Sequence, residues 1–295
     1  MSLFNRLLIA ADLSDMDDHL FGFTQQLIEK AGAEKIYPVH IIPDFTQPEK
    51  PILEFHKRFT MGAPVDEKAR ELLEKQVEGY FADMDVELAV EVVEGRPYRK
   101  LLHMAEAKEV NLVVAGVKRN SEHSGITAKR LARHLACDLL LVPEKQNGAI
   151  DRLVVPIDGS DNSARALQFA LRLRRSLNLE TQVEALHVVH MLPAAHYYGI
   201  GEMEELRQMV KEGAEKTCQD FLKQYEFDES DVALQIVSED NHSTAEIIHN
   251  YTHLSNTTLL IIGAQGHSAL SSFVFGSVTE AVVDRIRKVP LMIIR

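Results

Sequence analysis

The sequence repeats itself, and this repeat constrains the fold more than any other feature. RLLIAADLSD, which starts at Arg6, resembles RLVVPIDGSD, which starts at Arg152, and the apolar run ending at Gly116 resembles the run ending at Gly263. The offsets are 152 − 6 = 146 and 263 − 116 = 147. Two further pairs of segments keep the same order at nearly the same offset. Four landmarks in one order predict two copies of one domain.

The two copies account for the length of the chain. At 295 residues it is longer than most single cores, so two domains are expected. We place the first domain at residues 1–146 and the second at residues 151–295. The polar segment EKQNGAID lies at the seam, and its Asn-Gly pair suits a linker.

Within each copy, apolar runs alternate with stretches of helical periodicity. Strands that are apolar on both faces and alternate with helices indicate a parallel sheet covered on both sides. Each copy is therefore predicted to be an α/β unit with a five-stranded parallel sheet. In the second copy we expect strands at 153–157, 183–189, 232–237, 259–262 and 291–294, and helices at 163–179, 202–225, from about 244, and 277–288.

The composition excludes several classes of function. A formal net charge of −12 argues against binding to nucleic acid, which needs clustered Lys and Arg. Cys137 and Cys218 form no CxxC pair, so neither a disulfide framework nor a Cys-rich zinc site is expected, and a reducing compartment fits. The apolar run before Asp12 is too short for a signal segment or a membrane span. The sequence predicts a cytoplasmic protein with no nucleic-acid or membrane partner.

The segment GAQGHSALSSFVFGSVTE, from Gly263 to Glu280, concentrates glycine at the exit of a predicted strand. Glycines let the backbone approach an anion, and loop N–H groups with a helix N-terminus favour phosphate. The alternative is structural, because Ser277 and Glu280 have the spacing of a capping box. The residues alone leave both interpretations open. No Gly-Lys-Ser/Thr follows, so this is not a Walker loop, and the third close glycine of a dinucleotide fingerprint is missing.

At this loop the sequence resembles a known family. The spacing G-x2-G-x9-G-S resembles the ATP-binding signature of the universal stress protein family, and PIDGSDNSARAL, LHVV and the terminal VPLMII agree with it. Both halves share the pattern, so the chain resembles a tandem universal stress protein. The resemblance implies Rossmann-like domains of the adenine nucleotide alpha hydrolase-like type. It also implies that the last strands of the two halves pair as an intramolecular pseudo-dimer, with a homodimer left open.

The resemblance further implies one adenine nucleotide site, in the second half. Pro156 and Ile157 would line the adenosine end, where Asp158 would accept hydrogen bonds from the ribose or the base. Val188 would pack on the adenine. The residues that would hold the phosphates are Gly263, Gly266, Gly276, Ser277 and Val278. His267 stands where a family member often carries Arg or Lys, and would supply less charge. From the residues alone, Asp158 is equally a turn or N-cap residue.

The first half departs from this pattern. After Gly116 the loop spans eight steps to Ser124, against thirteen in the second half, and Arg119 replaces the second glycine. We predict that this loop does not bind phosphate groups. Asp12 and Val39 are interpreted as counterparts of the acid and the valine of the second half. They are either remnants, which we favour, or contacts for a ligand that lacks phosphate groups.

Other polar residues are assigned structural roles. His249 and His253 are four apart on a predicted helix, but no HExxH pattern or Cys partner accompanies them, so no metal site is predicted. Ser243 with Glu246 predicts a capping box, and Pro97 suits the first turn of a helix. His187 and His190, at the end of the second predicted strand, are expected to be satisfied polar groups.

Three functions follow from these patterns. The first is a stress-response regulator that binds ATP or a related adenine nucleotide, with or without Mg²⁺ and without a tightly bound metal. The second is a weak ATPase or nucleotidyl-transfer enzyme, and the third is a scaffold that binds no nucleotide. Cleavage needs a metal-binding carboxylate and a base near the γ-phosphate. The glycine loop, residues 263–276, has neither an acid nor a Lys, which favours binding over catalysis.

Overall fold

The computed structural model of the chain contains two compact units, Met1–Lys145 and Gln146–Arg295. The division lies within the predicted seam. The structure describes residues 2–42, 65–118, 124–146, 149–190, 200–238, 242–266, 275–285 and 287–295.

The first unit is a parallel sheet with helices between the strands. The strand β1 lies in its middle, between β2 and β5; β6 pairs with β5, and both β3 and β4 pair with β2. The elements are β1 (Phe4–Ala11), α1 (Met16–Ala31), β2 (Ala33–Ile42), α2 (Val65–Phe81), β3 (Glu87–Leu88), β4 (Glu91–Glu94), α3 (Pro97–Ala107), β5 (Leu112–Val117), α4 (Ser124–His134) and β6 (Asp138–Pro143).

The second unit repeats this topology. The strand β7 lies between β8 and β10, β9 pairs with β8 and β11 pairs with β10, all in parallel. The predicted α/β class and the strands of the second half are confirmed, with bounds that agree within one residue. The elements are β7 (Leu153–Pro156), α5 (Asp161–Leu177), β8 (Val183–Val189), α6 (Ile200–Gln224), β9 (Val232–Ser238), α7 (Thr244–Leu254), β10 (Leu259–Gly263), α8 (Ser277–Arg285) and β11 (Leu291–Ile294).

The outermost strand of the first unit is broken opposite a proline. The register pairs Ile36 with Leu88 and Val39 with Glu91, which places Pro38 opposite Val90 in the gap between β3 and β4. Proline has no N–H to donate to the ladder, so pairing is interrupted there. In the second unit Ala185 occupies the matching position, and β9 pairs with β8 without a break. The two short segments therefore count as one of the five predicted strands.

The inner strands of each sheet are largely buried on both faces, as their apolar composition predicts, whereas β4 and β9 at the edges are only partly buried. All the residues of β10 are buried, and in β5 only Gly116 is partly exposed. Helices such as α5 turn a face of Ala and Leu side chains to the sheet. Strand order reverses between β1 and β5 and between β7 and β10, and in such sheets ligands bind beyond the carboxyl ends of the strands at this point.

The helix starts test the capping predictions. Ser243 and Glu246 form the complete reciprocal box predicted at the start of α7, and Pro97 begins α3. The box that the spacing allows at Ser277 does not match the observed helix start. Helix α8 begins at Ser277 itself, and the Glu280 N–H donates to the Gly276 carbonyl at 2.9 Å. Ser277 is thus the first helical residue and not the cap.

These two serines provide a matched stability test. Ser243→Ala removes an N-cap acceptor and is expected to lower the free energy of unfolding by about 1 kcal/mol. Ser277→Ala, at an exposed first helical residue, is expected to change it by less than about 0.5 kcal/mol. Urea unfolding followed by far-UV circular dichroism measures both. An equal loss in the two variants would contradict the assignment of Ser277.

Candidate functional site

A cavity of about 280 Å³ opens at the carboxyl edge of the second sheet. It is lined by the ends of β7, β8 and β10, by the start of α8 and by one face of α7. Nine of the ten predicted site residues line it: Pro156, Ile157, Asp158, Val188, Gly263, Gly266, Gly276, Ser277 and Val278. The tenth, His267, lies outside the described residues.

Asp158 lies in the turn that leads from β7 into α5. Its Oδ1 accepts hydrogen bonds from the Ser160 N–H at 3.1 Å and from the Ser160 hydroxyl at 2.6 Å. Gly159 between them has φ +83°, which glycine adopts without strain. Ser160 then caps α5 by accepting from the Ser163 N–H at 3.2 Å, so this helix begins two residues before the predicted start. The turn interpretation of Asp158 is therefore correct for one of its two carboxylate oxygens.

The second oxygen of Asp158 faces the glycine loop. A Cβ added to Gly266 would lie 2.5 Å from Asp158 Oδ2, a distance that no side chain tolerates without displacing the carboxylate. The absence of a side chain at Gly266 thus allows the loop backbone to lie against the acid. This close approach is specific to the site, because the obstructing atom belongs to a cavity-lining side chain and not to the core.

Two hydrogen bonds close the base of the glycine loop. The Gly276 N–H donates to the Ala264 carbonyl at 2.9 Å, and the Thr279 hydroxyl donates to the Gly263 carbonyl at 2.8 Å. A Cβ on Gly276 would lie 3.2 Å from the Ala264 carbonyl oxygen, so a larger side chain would displace the loop itself. Substitution of Gly276 therefore tests the loop more than any ligand contact.

The start of α8 opens into the same cavity. Its first N–H groups, at Ser277, Val278 and Thr279, have no intrahelical partner by the geometry of an α-helix. Such groups and the helix dipole favour an anion. Ser277 is exposed and is not the cap of α8, so its hydroxyl is a further donor at this helix start. This arrangement can hold a phosphate group.

Gly263 has a role that the sequence analysis missed. A Cβ there would lie 2.9 Å from the backbone carbonyl carbon and oxygen of Asn162, in the first turn of α5. In the first unit, a Cβ on Gly116 would lie 2.8 Å from Cγ of Met16, which begins α1. Both glycines let a helix start pack over a strand end. Gly263 is therefore a packing residue as well as part of the loop.

The remaining walls come from β8 and α7. The carbonyl of Ile157 accepts from His187 Nδ1 at 2.9 Å, and because a carbonyl only accepts, Nδ1 carries the hydrogen. His190 Nε2 lies 2.8 Å from the hydroxyl of Thr244. Both histidines are satisfied polar groups, as predicted. Thr244 and Ile248 line the cavity but were not predicted; their spacing of four on a helix that follows a strand was the available signal.

The first unit has a cavity at the matching edge, of about 320 Å³. Asp12, the counterpart of Asp158, lies in its wall and forms an ion pair with Lys118, whose Nζ is 2.5 Å from Oδ2. Ser14 donates to Oδ1 of the same carboxylate. Burial alone would raise the pKa of Asp12, but the bonds from Lys118 and Ser14 outweigh it and hold the pKa below its ordinary value.

The register of the strands corrects one predicted correspondence. Ala11 pairs with His40, and the Ile157 N–H bonds to the Leu186 carbonyl, so His40 matches His187 in the two sheets. The counterpart of Val188 is therefore Ile41. Val39, which was assigned that position, matches Leu186 instead. Both Val39 and Ile41 line the first cavity.

A second carboxylate lies beneath Asp12. Asp17 is 1% exposed and accepts from the N–H groups of Asp12, at 3.1 Å, and Leu13, at 2.7 Å. These bonds hold Leu13 at φ +56°, where the second unit has Gly159. Burial raises the pKa of Asp17 to about 6, with a further contribution from the charge of Asp12. Its counterpart Ser163 carries no charge.

The described residues include neither a group of metal ligands nor a helix that could cross a membrane. In that part of the chain no three His, Cys, Asp or Glu side chains are grouped in a way that would hold a metal ion. The rings of His249 and His253 are 4.5 Å apart, and burial lowers the pKa of both. Among the described helices, none is both long and apolar enough to cross a bilayer.

Known proteins resemble this chain in both halves. A model described as "Universal stress protein family" matches residues 3–143 and again residues 149–295. Universal stress protein YxiE of Bacillus subtilis is 26% identical over 150 residues, which cover 49% of this chain and 99% of that protein. A universal stress protein of Archaeoglobus fulgidus aligns over 98% of this chain and 96% of its own, with a TM-score of 0.61 at 16% identity. A universal stress protein solved in complex with cAMP aligns with 49% of this chain and 100% of its own, with a TM-score of 0.33 at 17% identity.

The packing role of Gly263 gives a stability prediction. Gly263→Ala places a Cβ against the backbone of α5 and is expected to cost about 1–3 kcal/mol in the free energy of unfolding. The control is Gly213→Ala in α6, where no heavy atom lies within 4 Å of the new Cβ; it is expected to stabilise by up to about 1 kcal/mol. Urea unfolding compares the two. An unchanged Gly263→Ala protein would show that this glycine does not limit the packing.

The buried Asp17 gives a pH prediction. Its pKa is raised in the folded state, so it contributes most stability below its ordinary value of 3.8 and loses that contribution as the pH rises towards 6. The stability of the wild type relative to Asp17→Asn should fall by about 2 kcal/mol between pH 4 and pH 7. Asp15→Asn, at an exposed neighbour, controls for the general loss of charge. A difference that stays constant or grows with pH would contradict the assignment.

Proposed function

This chain belongs to the universal stress protein family, whose domain it carries twice, and we propose that its second unit binds one adenine nucleotide, ATP or a close relative. The protein would act as a stress-response regulator whose state depends on that ligand. The observation that supports this most directly is the convergence at one cavity of Asp158, the glycine loop and the start of α8.

The cavity suits the adenosine part of such a ligand. About 280 Å³ lies at the lower end of the size range of ligand pockets, so it matches a nucleoside better than a complete nucleotide. Val188 and Ile248 offer apolar surface for the base. Asp158 Oδ2, next to Gly266, is the acceptor proposed for a ribose hydroxyl. Carboxylate to hydroxyl bonds are among the stronger ones, because the acceptor is charged.

The phosphates would lie at the start of α8. The N–H groups there, with the hydroxyl of Ser277, provide donors without a formal positive charge. The cavity lining contains no Lys or Arg among the described residues. A bound Mg²⁺ would neutralise the phosphate charge, which the described lining residues do not. The N–H and hydroxyl donors at this site do not require the protein to supply a ligand to the ion. The residues present therefore fit a nucleotide with or without the ion.

The residues that line the cavity also favour nucleotide binding over nucleotide hydrolysis. Phosphoryl cleavage needs a carboxylate that holds the metal and a group that positions the attacking water. Among the described lining residues the only carboxylate is Asp158, and one of its oxygens is engaged in the turn. Slow ATP hydrolysis and a scaffold without nucleotide are the alternatives. Placement in the cytoplasm, pairing of the two units and a homodimer stay predictions.

Calorimetric titration with ATP and Mg²⁺ tests the proposal. We expect one site per chain. Asp158→Asn keeps the Oδ1 acceptor of the turn but turns Oδ2 into a donor, and should weaken binding at least tenfold, about 1.4 kcal/mol. Ser277→Ala should weaken it by about three- to tenfold. Asp12→Asn, the matching change in the first unit, should leave ATP binding unchanged.

Several outcomes would contradict the proposal. Two equivalent ATP sites, or none, would remove the distinction between the units. ATP binding that survives Asp158→Asn at full strength would place the ligand elsewhere. Phosphate release measured on the same preparation separates regulator from enzyme: turnover that Asp158→Asn abolishes would favour the ATPase.

A further inference from the structure

We propose that the cavity of the first unit is a second ligand site, which takes an uncharged, hydroxylated ring compound of nucleoside size and excludes its phosphorylated forms. This site shares no residue with the proposed nucleotide site. The sequence favours a remnant here, but three features of the structure argue against that interpretation.

The first feature is that the cavity has not closed. It measures about 320 Å³, against about 280 Å³ in the second unit. Ala10 and Ala11 stand in its wall where the second unit has Pro156 and Ile157. Most of the surface of this cleft is apolar, and apolar surface left in contact with water forgoes the free energy that its burial would give. A site that had only lost its ligand would be expected to fill with larger side chains, whereas Ala10 and Ala11 are smaller than the residues they replace.

The second feature is the polar group at one end of an apolar cleft. Asp12 and Lys118 form their ion pair in the cavity wall, with half of the Asp12 side chain and a quarter of the Lys118 side chain exposed. A carboxylate only accepts and an ammonium only donates, while a hydroxyl does both. Adjacent hydroxyl groups on one ring are therefore the complement of this pair. Apolar side chains, among them Val39, Ile41 and Leu101, face the rest of the cleft and suit the ring.

The third feature is the charge of the side chains that line the cavity. Two carboxylates, Asp12 and Asp17, and one ammonium, Lys118, give a formal charge of −1 when both acids are ionised. This set of charges repels a polyphosphate, and the ammonium group of Lys118 disfavours a cationic ligand. The segment after Gly116 also spans only eight steps to Ser124, so it supplies fewer backbone N–H groups than the thirteen-step glycine loop. An uncharged ligand is the remaining class.

The position of Lys118 locates the difference between the units. By the repeat it corresponds to Gln265, next to Gly266. In the second unit the acid lies against the loop backbone, whereas in the first it lies against an ammonium. The ion pair therefore stands where the other unit begins its phosphate-binding segment. Lys118 and the shorter segment that follows it change the recognised group without altering the sheet.

Adenosine is the probe for the test, used on the full chain saturated with ATP so that the second unit is occupied. Calorimetry should show one adenosine bound per chain. Lys118→Met should lower that affinity at least tenfold, and Asp12→Asn should also weaken it. Lys68→Met, which removes an exposed lysine of α2 in the same unit, is the matched control and should have no effect.

A second measurement does not depend on the variants. Hydrogen exchange of the amides at residues 8–20, which carry the turn between β1 and α1, should slow on adding adenosine to the ATP-saturated protein. No adenosine binding and no protection would overturn the proposal, as would binding that Lys118→Met leaves unchanged. AMP that displaces adenosine from the first unit with equal affinity would overturn the exclusion of phosphate.

The test remains valid if the proposed nucleotide site fails. Should ATP not bind, adenosine is titrated into the unsaturated protein. Binding that is lost in Lys118→Met and kept in Asp158→Asn would support the first-unit site by itself. Binding that is lost in Asp158→Asn and kept in Lys118→Met would overturn it.

Discussion

The close approach of a helix start to a glycine at a strand end is the contact on which both sites depend. Met16 packs on Gly116 in the first unit and Asn162 on Gly263 in the second, at distances that leave no room for a Cβ. This contact places the first turn of α1 or α5 over the carboxyl edge of the sheet. The preceding turn, which carries Asp12 or Asp158, is then held beside the cavity. The packing glycine therefore determines where the acid lies.

The two units share one fold but present different chemical groups to a ligand. Both units have the same sheet and the same acid. In both, a histidine also joins two neighbouring strands, because Nδ1 of His40 on β2 and of His187 on β8 donates to a carbonyl at the end of the preceding strand. The differences lie in the segment after the packing glycine. Gly266 leaves the second acid facing backbone, and Lys118 gives the first one a charged partner. Because strand-end loops do not contribute to the core, they change without loss of the fold.

The candidate site was largely predictable because it combines short motifs with a fixed topology. Strand ends of a parallel sheet meet at one edge, so Asp158, Val188 and Gly263 were expected together once the strands were placed. Thr244 and Ile248 were missed because their helix follows β9, and only the sheet order brings it over the cavity. The capping box that the spacing allows at Ser277 does not match the observed helix start, because spacing cannot tell which residue ends the loop and which begins the helix.

The sequence by itself determined the repeat, the α/β class and the strands, because periodicity and burial follow directly from the order of apolar residues. It also determined that the two loops differ, since their lengths and glycines can be counted. Only the tertiary structure decided what each glycine does. Gly263 packs on a backbone and Gly266 on a carboxylate, and both are the same letter in the sequence. Likewise the pairing of Asp12 with Lys118 joins residues more than a hundred positions apart, because β1 and β5 are neighbours in the folded sheet.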